Sequence, residues 1–169
     1  MLDQLNTRVI QIAYVSDDLE RATAWFERTL GARGFDHNGT TTLHDAIVDG
    51  EVADEWSIES AGTMLGEVNL EIIRPVGGAV DMYREVIVPG APATFHHYGV
   101  EVDSWEEAEA AREAMGVPWK TRGYTPGVVE FGYVDLRPTI GHYVEFMRLD
   151  PATIEIIEDM KRKYASAQA

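Results

Sequence analysis

The feature of this sequence that most constrains its fold is an internal repeat. The segment "VIQIAYVSDDLERA" aligns with "FHHYGVEVDSWEEA", and "VNLEIIRP" aligns with "HYVEFMRL". In this alignment Gln11 corresponds to His97, and Glu71 corresponds to Glu145. Because self-similarity along a chain is typical of duplicated supersecondary units, we predict two copies of one strand–helix–strands module.

The residues within each copy favour the same interpretation. Each copy opens on a run rich in β-branched and aromatic residues, "RVIQIAYV" or "FHHYGVEV", which is typical of a strand. Each run leads into a helical pattern that starts near Ser or Asp and ends at glycine. We therefore predict one α+β domain over residues 1–169, with a first module at 8–75, a connector at 76–93, a second module at 94–150 and a C-terminal helix at 151–169.

The composition excludes several classes of function. The 29 acidic and 14 basic residues give a formal net charge of -15, which opposes binding to nucleic acid or to an anionic membrane. The absence of cysteine excludes disulfides, thiolate metal sites and cysteine nucleophiles. Because neither a secretory signal nor an apolar run of about 20 residues is present, we expect a cytoplasmic protein that acts on a small molecule.

Strand alternation places four polar residues on one side of the predicted sheet. Successive side chains of a strand point to opposite faces, so Gln11 and His97 share one face while His96 lies on the face under the helices. Glu71 and Glu145 likewise point away from their apolar neighbours. The second histidine of the pair is therefore predicted to act at the site, and the first is predicted to pack.

The four residues form a set of possible metal ligands. An amide oxygen, an imidazole and two carboxylates suit a divalent ion such as Mn, Co, Ni, Zn, Fe or Mg. Four protein ligands leave coordination positions open, and a metal with open positions can act as a Lewis acid. The alternative for each Glu alone is an exposed edge position or an ion pair, because Glu is rarely buried without a partner.

The segments "QIAYVSDDLERATAWFERTLG", "LEIIRP", "HHYGVEVDS" and "GHYVEF" resemble the vicinal oxygen chelate superfamily, which includes glyoxalase I, methylmalonyl-CoA epimerase, extradiol dioxygenases and drug-resistance binding proteins. The resemblance implies paired βαβββ modules that form a curved mixed sheet around a metal-binding cleft. It also implies a homodimer, and metal ligands at the matched positions Gln11, Glu71, His97 and Glu145. The double histidine and "LEIIRP" are most similar to the epimerase branch, whereas Gln at position 11 is similar to eukaryotic glyoxalase I.

The resemblance implies a metal-dependent isomerase or epimerase that moves a proton next to a carbonyl through a metal-stabilised enolate. Glu145 is the predicted base, and Glu71 is the candidate for a second proton-moving group. Three alternatives stay open: a glyoxalase-type lyase, a metal-free binding protein of the resistance type, and a ring-cleaving dioxygenase. The last is the weakest, since iron dioxygenases use two His and one carboxylate and no second His occupies the matched position.

Further residues are candidates for contact with substrate. Tyr143 shares the face of Glu145, and Trp56 offers an aromatic wall for the cleft. The remaining candidates are His44, Tyr133 and Arg137. For Arg137 an ion pair with Asp135 in the turn is an equally good interpretation.

Overall fold

The computed structural model describes residues 8–168, and the side chains of residues 8–165. The strands are β1 (Arg8–Val15), β2 (Asp36–Leu43), β3 (Ile47–Val48), β4 (Glu51–Val52), β5 (Trp56–Leu65), β6 (Val68–Gly78), β7 (Thr94–Glu101), β8 (Trp119–Thr125), β9 (Val129–Asp135) and β10 (Tyr143–Leu149). The helices are α1 (Leu19–Leu30), α2 (Asp81–Arg84), α3 (Trp105–Met115), α4 (Arg137–Ile140) and α5 (Pro151–Gln168). None of the helices within residues 8–168 has both the length and the apolarity needed to cross a membrane.

All ten strands belong to one mixed sheet with the order β2-β5-β6-β1-β7-β10-β9-β8-β3-β4. The halves are related as the repeat predicts. β6 runs parallel to β1 in the first half, β10 runs parallel to β7 in the second, and the antiparallel pair β1–β7 joins them. The predicted α+β fold with two βαβββ modules, a curved mixed sheet and a C-terminal helix is therefore confirmed.

The curvature of the sheet follows from one short connection. β2 lies at one edge of the sheet and β3 lies near the other, where it pairs with β8. Only three residues join Leu43 to Ile47, and four extended peptide units span at most about 14 Å. The two ends of the sheet must therefore approach each other, so the sheet curls into a cup whose concave side encloses a cavity.

Two strands of this cup differ from the sequence prediction. The composition of "TTTLHDAIVDG" predicts one short strand. In the structure β2 ends at Leu43, and the following residues form the small β3–β4 hairpin. β8, "WKTRGYT", was not predicted, because its Lys, Arg and Gly residues weaken the strand signal. The segment becomes a strand because it pairs with β9 and β3, although its own residues have a weak preference for strand structure.

The core consists of three clusters, one inside the cup and two outside it. Helix α1 packs over the first half through Phe26 and Ala22, against Leu70 and Ile72. Helix α3 covers the second half in the same way. The inner cluster fills one end of the cup with aromatic and aliphatic side chains that include Trp56, Tyr83, Phe131, Tyr133 and Tyr143. The connector helix α2 supplies Tyr83 and so closes that end.

Helix α5 covers the opposite end of the cup. The apolar spacing of this helix predicts a buried side formed by Ile154, Ile157 and Met160. Ile157 and Met160 line the cavity together with Thr153, but Ile154 is exposed. This side of the helix therefore covers the mouth of the cup. The homodimer stays a prediction.

Irregular pairing in the central strands changes the faces that alternation predicts. Ala13 pairs with His97, but Tyr14 pairs with Phe95, so His96 is the extra residue of a β-bulge. A second irregularity lies between Val9 and Gln11. As a result Ile10, expected under the helix, lines the cavity beside Gln11.

We predict that Gly123→Ala destabilises the fold. A Cβ at Gly123 would lie 2.5 Å from Cζ of Phe131 and 2.9 Å from Cδ1 of Leu43, on strands that close the cup. Overpacking of this kind costs about 1–3 kcal/mol in the free energy of unfolding, measurable by guanidinium denaturation. Gly62→Ala is the matched control, because its Cβ would meet nothing closer than 3.4 Å. Equal stability of the two variants would contradict the packing described for this edge.

Candidate active site

The cup encloses a cavity of about 490 Å³ between its two half-sheets, α5 and the β8–β9 turn. This volume is within the range of small-molecule sites in proteins. The lining is largely apolar, and its polar groups are spread over both half-sheets and α5. These groups include Gln11, Asn69, Glu71, Ser60 and Glu145.

The central strands arrange four residues as two staggered rows. In one row Glu71 pairs with Ala13, and Ala13 pairs with His97. In the next row Gln11 pairs with Gly99, and Gly99 pairs with Glu145. Because a small residue stands at the middle of each row, the larger side chains on either side can extend over it. Gln11, Glu71 and Glu145 line the cavity as the alternation predicts, whereas His97 is fully buried and lies behind the lining.

Three of these four side chains meet. Nε2 of His97 lies 3.1 Å from Oε2 of Glu145 and 3.3 Å from Oε1 of Gln11. All three residues are buried, with exposed fractions of 0%, 5% and 7% for His97, Glu145 and Gln11. The site therefore brings a ring nitrogen, a carboxylate oxygen and an amide oxygen to one point.

The orientation of the His97 ring is determined through His96. Nε2 of His96 lies 3.2 Å from the carbonyl oxygen of Met82, which can only accept, so this nitrogen must carry the proton. Nδ1 of a neutral His96 then has a lone pair and accepts from Nδ1 of His97 at 2.8 Å. Because a neutral imidazole has one donor and one acceptor, Nε2 of His97 presents a lone pair to Gln11 and Glu145.

The orientation of the Gln11 amide is determined in the same manner from the other side. Nδ2 of Asn69 donates to the carbonyl oxygen of Thr63 at 3.2 Å, which leaves Oδ1 of Asn69 as an acceptor. Nε2 of Gln11 donates to that oxygen at 3.1 Å. The carbonyl oxygen of the Gln11 side chain is therefore turned toward His97.

Lone pairs of three atoms are thus directed at one another. Even where Glu145 is protonated and donates to His97, the Gln11 oxygen still faces a nitrogen that has no proton to give. Atoms about 3 Å apart match neighbouring positions of an octahedron with metal–ligand distances of about 2.1 Å. The donor set and its spacing therefore fit a divalent ion held by Gln11, His97 and Glu145.

Burial dominates the protonation of the site. It lowers the pKa of His97 to about 3, with a smaller contribution from His142, so the imidazole is neutral. Burial also raises the pKa of Glu145 to about 8, against the opposing effect of a hydrogen bond from Tyr133. Burial, together with the negative charge of Glu145, raises the pKa of Glu71 to about 8, although a Ser60 hydrogen bond opposes the rise.

Glu71 occupies a different place from the other three predicted ligands. Its side chain lines the cavity on β6, and Ala13 separates it from His97 in the sheet. Within residues 8–168, no three His, Asp or Glu side chains form a group that could hold a metal ion. The structure therefore gathers Gln11, His97 and Glu145, and leaves Glu71 on the adjacent wall.

His96 is the residue that the sequence analysis misplaced. We expected it on the face under the helices, but the bulge turns it into the cup, where it is 1% exposed. Its ring stacks on Tyr83 and on Tyr143, each with ring centroids 4.7 Å apart. Because of the bulge, Phe95 and Tyr98 pack against each other although they are three positions apart, and no pattern within the strand predicts this.

The predicted substrate contacts are only partly gathered at the cavity. Tyr133 lines it. Trp56 is buried in the inner cluster against Tyr83 and Phe131, and does not reach the cavity. His44 is exposed, and its Nδ1 lies 2.8 Å from the carbonyl oxygen of Asp54, so it lies outside the cavity as well.

The two remaining candidates take part in an ion-pair network behind the site. Arg137 pairs with Asp135 at 2.6 Å, as the alternative interpretation predicted, and with Glu85 at 2.7 Å. The hydroxyl of Tyr143 donates to Oε1 of Glu85 at 2.8 Å. Neither Arg137 nor Tyr143 lines the cavity, so both support the rear of the site.

The fold is similar to those of several solved structures at low sequence identity. Methylmalonyl-CoA epimerase from Mycobacterium tuberculosis matches with a TM-score of 0.60 and 12% identity, over 92% of this chain and 97% of that one. A variant of Streptomyces coelicolor methylmalonyl-CoA epimerase in complex with 2-nitronate-propionyl-CoA matches with a TM-score of 0.56 and 13% identity, over 88% and 97%. A hypothetical protein from Bacillus halodurans C-125 matches with a TM-score of 0.58 and 14% identity, over 85% and 94%.

Sequence comparison points to the same group of proteins. A search of curated protein sequences finds no significant match. The family model described as Glyoxalase/Bleomycin resistance protein/Dioxygenase superfamily matches residues 10–133, which cover most of the chain. The resemblance stated from the motifs is therefore confirmed, and the chain belongs to the glyoxalase/bleomycin resistance protein/dioxygenase superfamily.

Proposed function

We propose that this protein is a divalent-metal-dependent enzyme that transfers a proton at the carbon next to a carbonyl group, as an isomerase or epimerase. The observation that carries the proposal is the convergence of the Gln11 amide oxygen, the unprotonated His97 nitrogen and the Glu145 carboxyl group at one buried point. Two chains of hydrogen bonds, each anchored on a backbone carbonyl, hold the imidazole and the amide in that orientation. A fold that only needed to pack this interior would have no reason to turn the Gln11 oxygen toward a ring nitrogen that has no proton to give.

Gln11, His97 and Glu145 would hold the ion, and Glu71 stands next to them as a fourth oxygen ligand or as a base. A divalent ion bound there would supply Lewis-acid stabilisation of a developing enolate oxygen. The single imidazole among the ligands supports this chemistry over ring cleavage, since the iron oxygenases use two His and one carboxylate.

Two carboxyl groups are placed to move the proton. A general acid or base works best when its pKa lies near the operating pH, and burial brings the pKa of both Glu71 and Glu145 to about 8. Glu71 lies on β6 and Glu145 on β10, on opposite sides of the central β1–β7 pair. Two groups that reach a substrate from different sides are what an epimerase requires. Glu71 has the greater freedom to act, because it does not share the contacts of the other three side chains.

The comparisons support an epimerase-type reaction as the leading case. Two of the similar structures are methylmalonyl-CoA epimerases. A glyoxalase-type lyase would use the same proton transfer and would differ in the compound bound. The other alternative is a protein that binds small molecules but holds no metal. A titration of metal binding distinguishes it from the enzyme.

Removal of one ligand should abolish tight metal binding. We expect purified protein to bind one equivalent of Mn²⁺ after treatment with chelator and dialysis, measured by calorimetric titration and elemental analysis. His97→Ala should weaken this binding at least about tenfold, because losing a metal ligand, or even the hydrogen-bond partner that orients one, costs this much or more. His44→Ala is the matched control, since His44 is exposed and outside the cavity. Failure of the native protein to bind any divalent ion would place it in the metal-free binding class.

Removal of either carboxylate should slow proton exchange. With Mn²⁺-loaded protein in D₂O, we expect metal-dependent incorporation of deuterium into 1-hydroxy-1-phenylpropan-2-one at the carbon next to the carbonyl, followed by NMR. Glu71→Gln and Glu145→Gln should each reduce the rate by about 10²-fold or more, the usual contribution of a general acid or base. Glu59→Gln is the control, because this carboxylate pairs with Arg74 and does not line the cavity. Exchange that is indifferent to both cavity substitutions would refute the assignment.

The metal-free protein should lose stability as the pH rises from about 6.5 to 9. Glu71 and Glu145 have a pKa of about 8 in the folded state and about 4.3 in the unfolded state. Between these values the folded state holds protons that the unfolded state has released, so raising the pH through 8 favours unfolding. We expect a fall of several degrees in Tm by calorimetry, and a shallower fall for Glu145→Gln. A flat profile would contradict the burial of these carboxyl groups, and Glu59→Gln should leave the slope unchanged.

A further inference from the structure

The walls of the cavity carry no positive charge. No Lys, Arg or His is among its lining residues within the described part of the chain. The charged residues that do line it are acidic: Asp36, Glu71 and Glu145. A ligand group that carries a negative charge would therefore find no cationic side chain inside the cavity.

The cations on the neighbouring strands are directed away from the cavity. Met147 and Leu149 line the cavity, so Arg148 between them points to the outer face. There it pairs with Glu130 at 2.9 Å. Arg74 similarly follows the lining residue Ile73 and pairs with Glu59 at 2.6 Å. These pairs are made on the outside of the sheet, so neither guanidinium is available to a ligand within the cup.

A large apolar surface forms part of the cavity wall, beside polar lining residues such as Asp36, Asn38 and Thr125. Both half-sheets and α5 contribute to it, through Ile58, Ile73, Phe131, Met147, Ile157 and Met160. Burying an unpaired charge among such groups carries a large free-energy penalty. Burying hydrocarbon there is favourable, by about 25 cal/mol per Å² removed from water. The walls therefore discriminate against a charged ligand body whatever the chemistry at the polar end.

We propose that the cavity takes an uncharged, largely apolar carbonyl compound, with its oxygen atoms directed toward Gln11 and Glu145, which line the cavity in front of His97, and a hydrocarbon or aromatic body against Phe131, Ile157 and Met160. The orientation of the ligand rests on the proposed function, whereas the selection against charge rests on the walls alone. The proposal concerns the part of a ligand that lies inside the cup, where the walls offer no cationic side chain to a phosphate or carboxylate.

A pair of matched probes tests the selection against charge. The neutral probe is 1-phenyl-1,2-propanedione, and the charged probe is the same dione with a carboxylate at the para position of the ring. Both present the same adjacent oxygens, so only the charge at the distant end differs. By calorimetric titration of Mn²⁺-loaded protein, we expect the neutral probe to bind at least about tenfold more tightly, a difference of about 1.4 kcal/mol.

A variant with a cation in the wall should reverse the preference. Ile157→Lys places an ammonium group on the α5 wall of the cavity and should tighten binding of the carboxylated probe at least about tenfold. Thr125→Lys makes the same change from the β8 side, and serves if the helix variant fails to fold. Ala152→Lys is the matched control, because it adds the same charge at an exposed position of α5 outside the cavity.

The outcomes separate this proposal from the proposed function. The ranking of the two probes should persist in chelator-treated protein, because it depends on the walls and not on the ion. A metal response without any preference between the probes overturns the present proposal and leaves the proposed function standing. A preference between the probes without any metal response supports the present proposal and overturns the proposed function. Equal or tighter binding of the carboxylated probe to the native protein, or no binding of either probe in the millimolar range, refutes the uncharged ligand.

Discussion

The pairing of β1 with β7 is the constraint on which the rest of the site depends. It sets Gln11 opposite Gly99, and Gly99 in turn lies opposite Glu145 on β10. A Cβ at Gly99 would lie 2.9 Å from Cβ of Gln11 and 3.0 Å from its Oε1, so a larger residue would displace the amide. The missing side chain at the middle of this row is therefore what lets Gln11 and Glu145 both reach His97.

Two backbone carbonyls determine which atoms of the site donate hydrogen bonds and which accept them. The carbonyl of Met82 determines which nitrogen of His96 carries the proton, and through it the proton of His97. The carbonyl of Thr63 determines the orientation of Asn69 and then of Gln11. A backbone carbonyl can only accept a hydrogen bond, so neither chain can be reversed. The connector that provides Met82 thus helps to orient the His97 ring, although it lies outside both modules.

Much of the fold was predictable because each copy of the repeat has local patterns typical of strands and helices. The two opening strands have β-branched and aromatic residues, and the helices after them end at Gly31 and Gly116 in the left-handed conformation. The site was predictable in part for the same reason, since alternation within β6 and β10 is regular and places Glu71 and Glu145 correctly. Alternation failed at His96 and Ile10, because a bulge forms only when one strand is paired with another.

The sequence by itself determined the duplicated modules, the family and the concave placement of Gln11, Glu71 and Glu145, because these depend on periodicities of two or 3.6 residues along the chain. Only the tertiary structure decided which of them meet, which aromatic residues fill the closed end of the cup and which line its open end. Gln11 and His97 are 86 residues apart, and their contact depends on strand register, curling and a bulge. These features are set by the packing of distant segments against each other, and no local pattern encodes them.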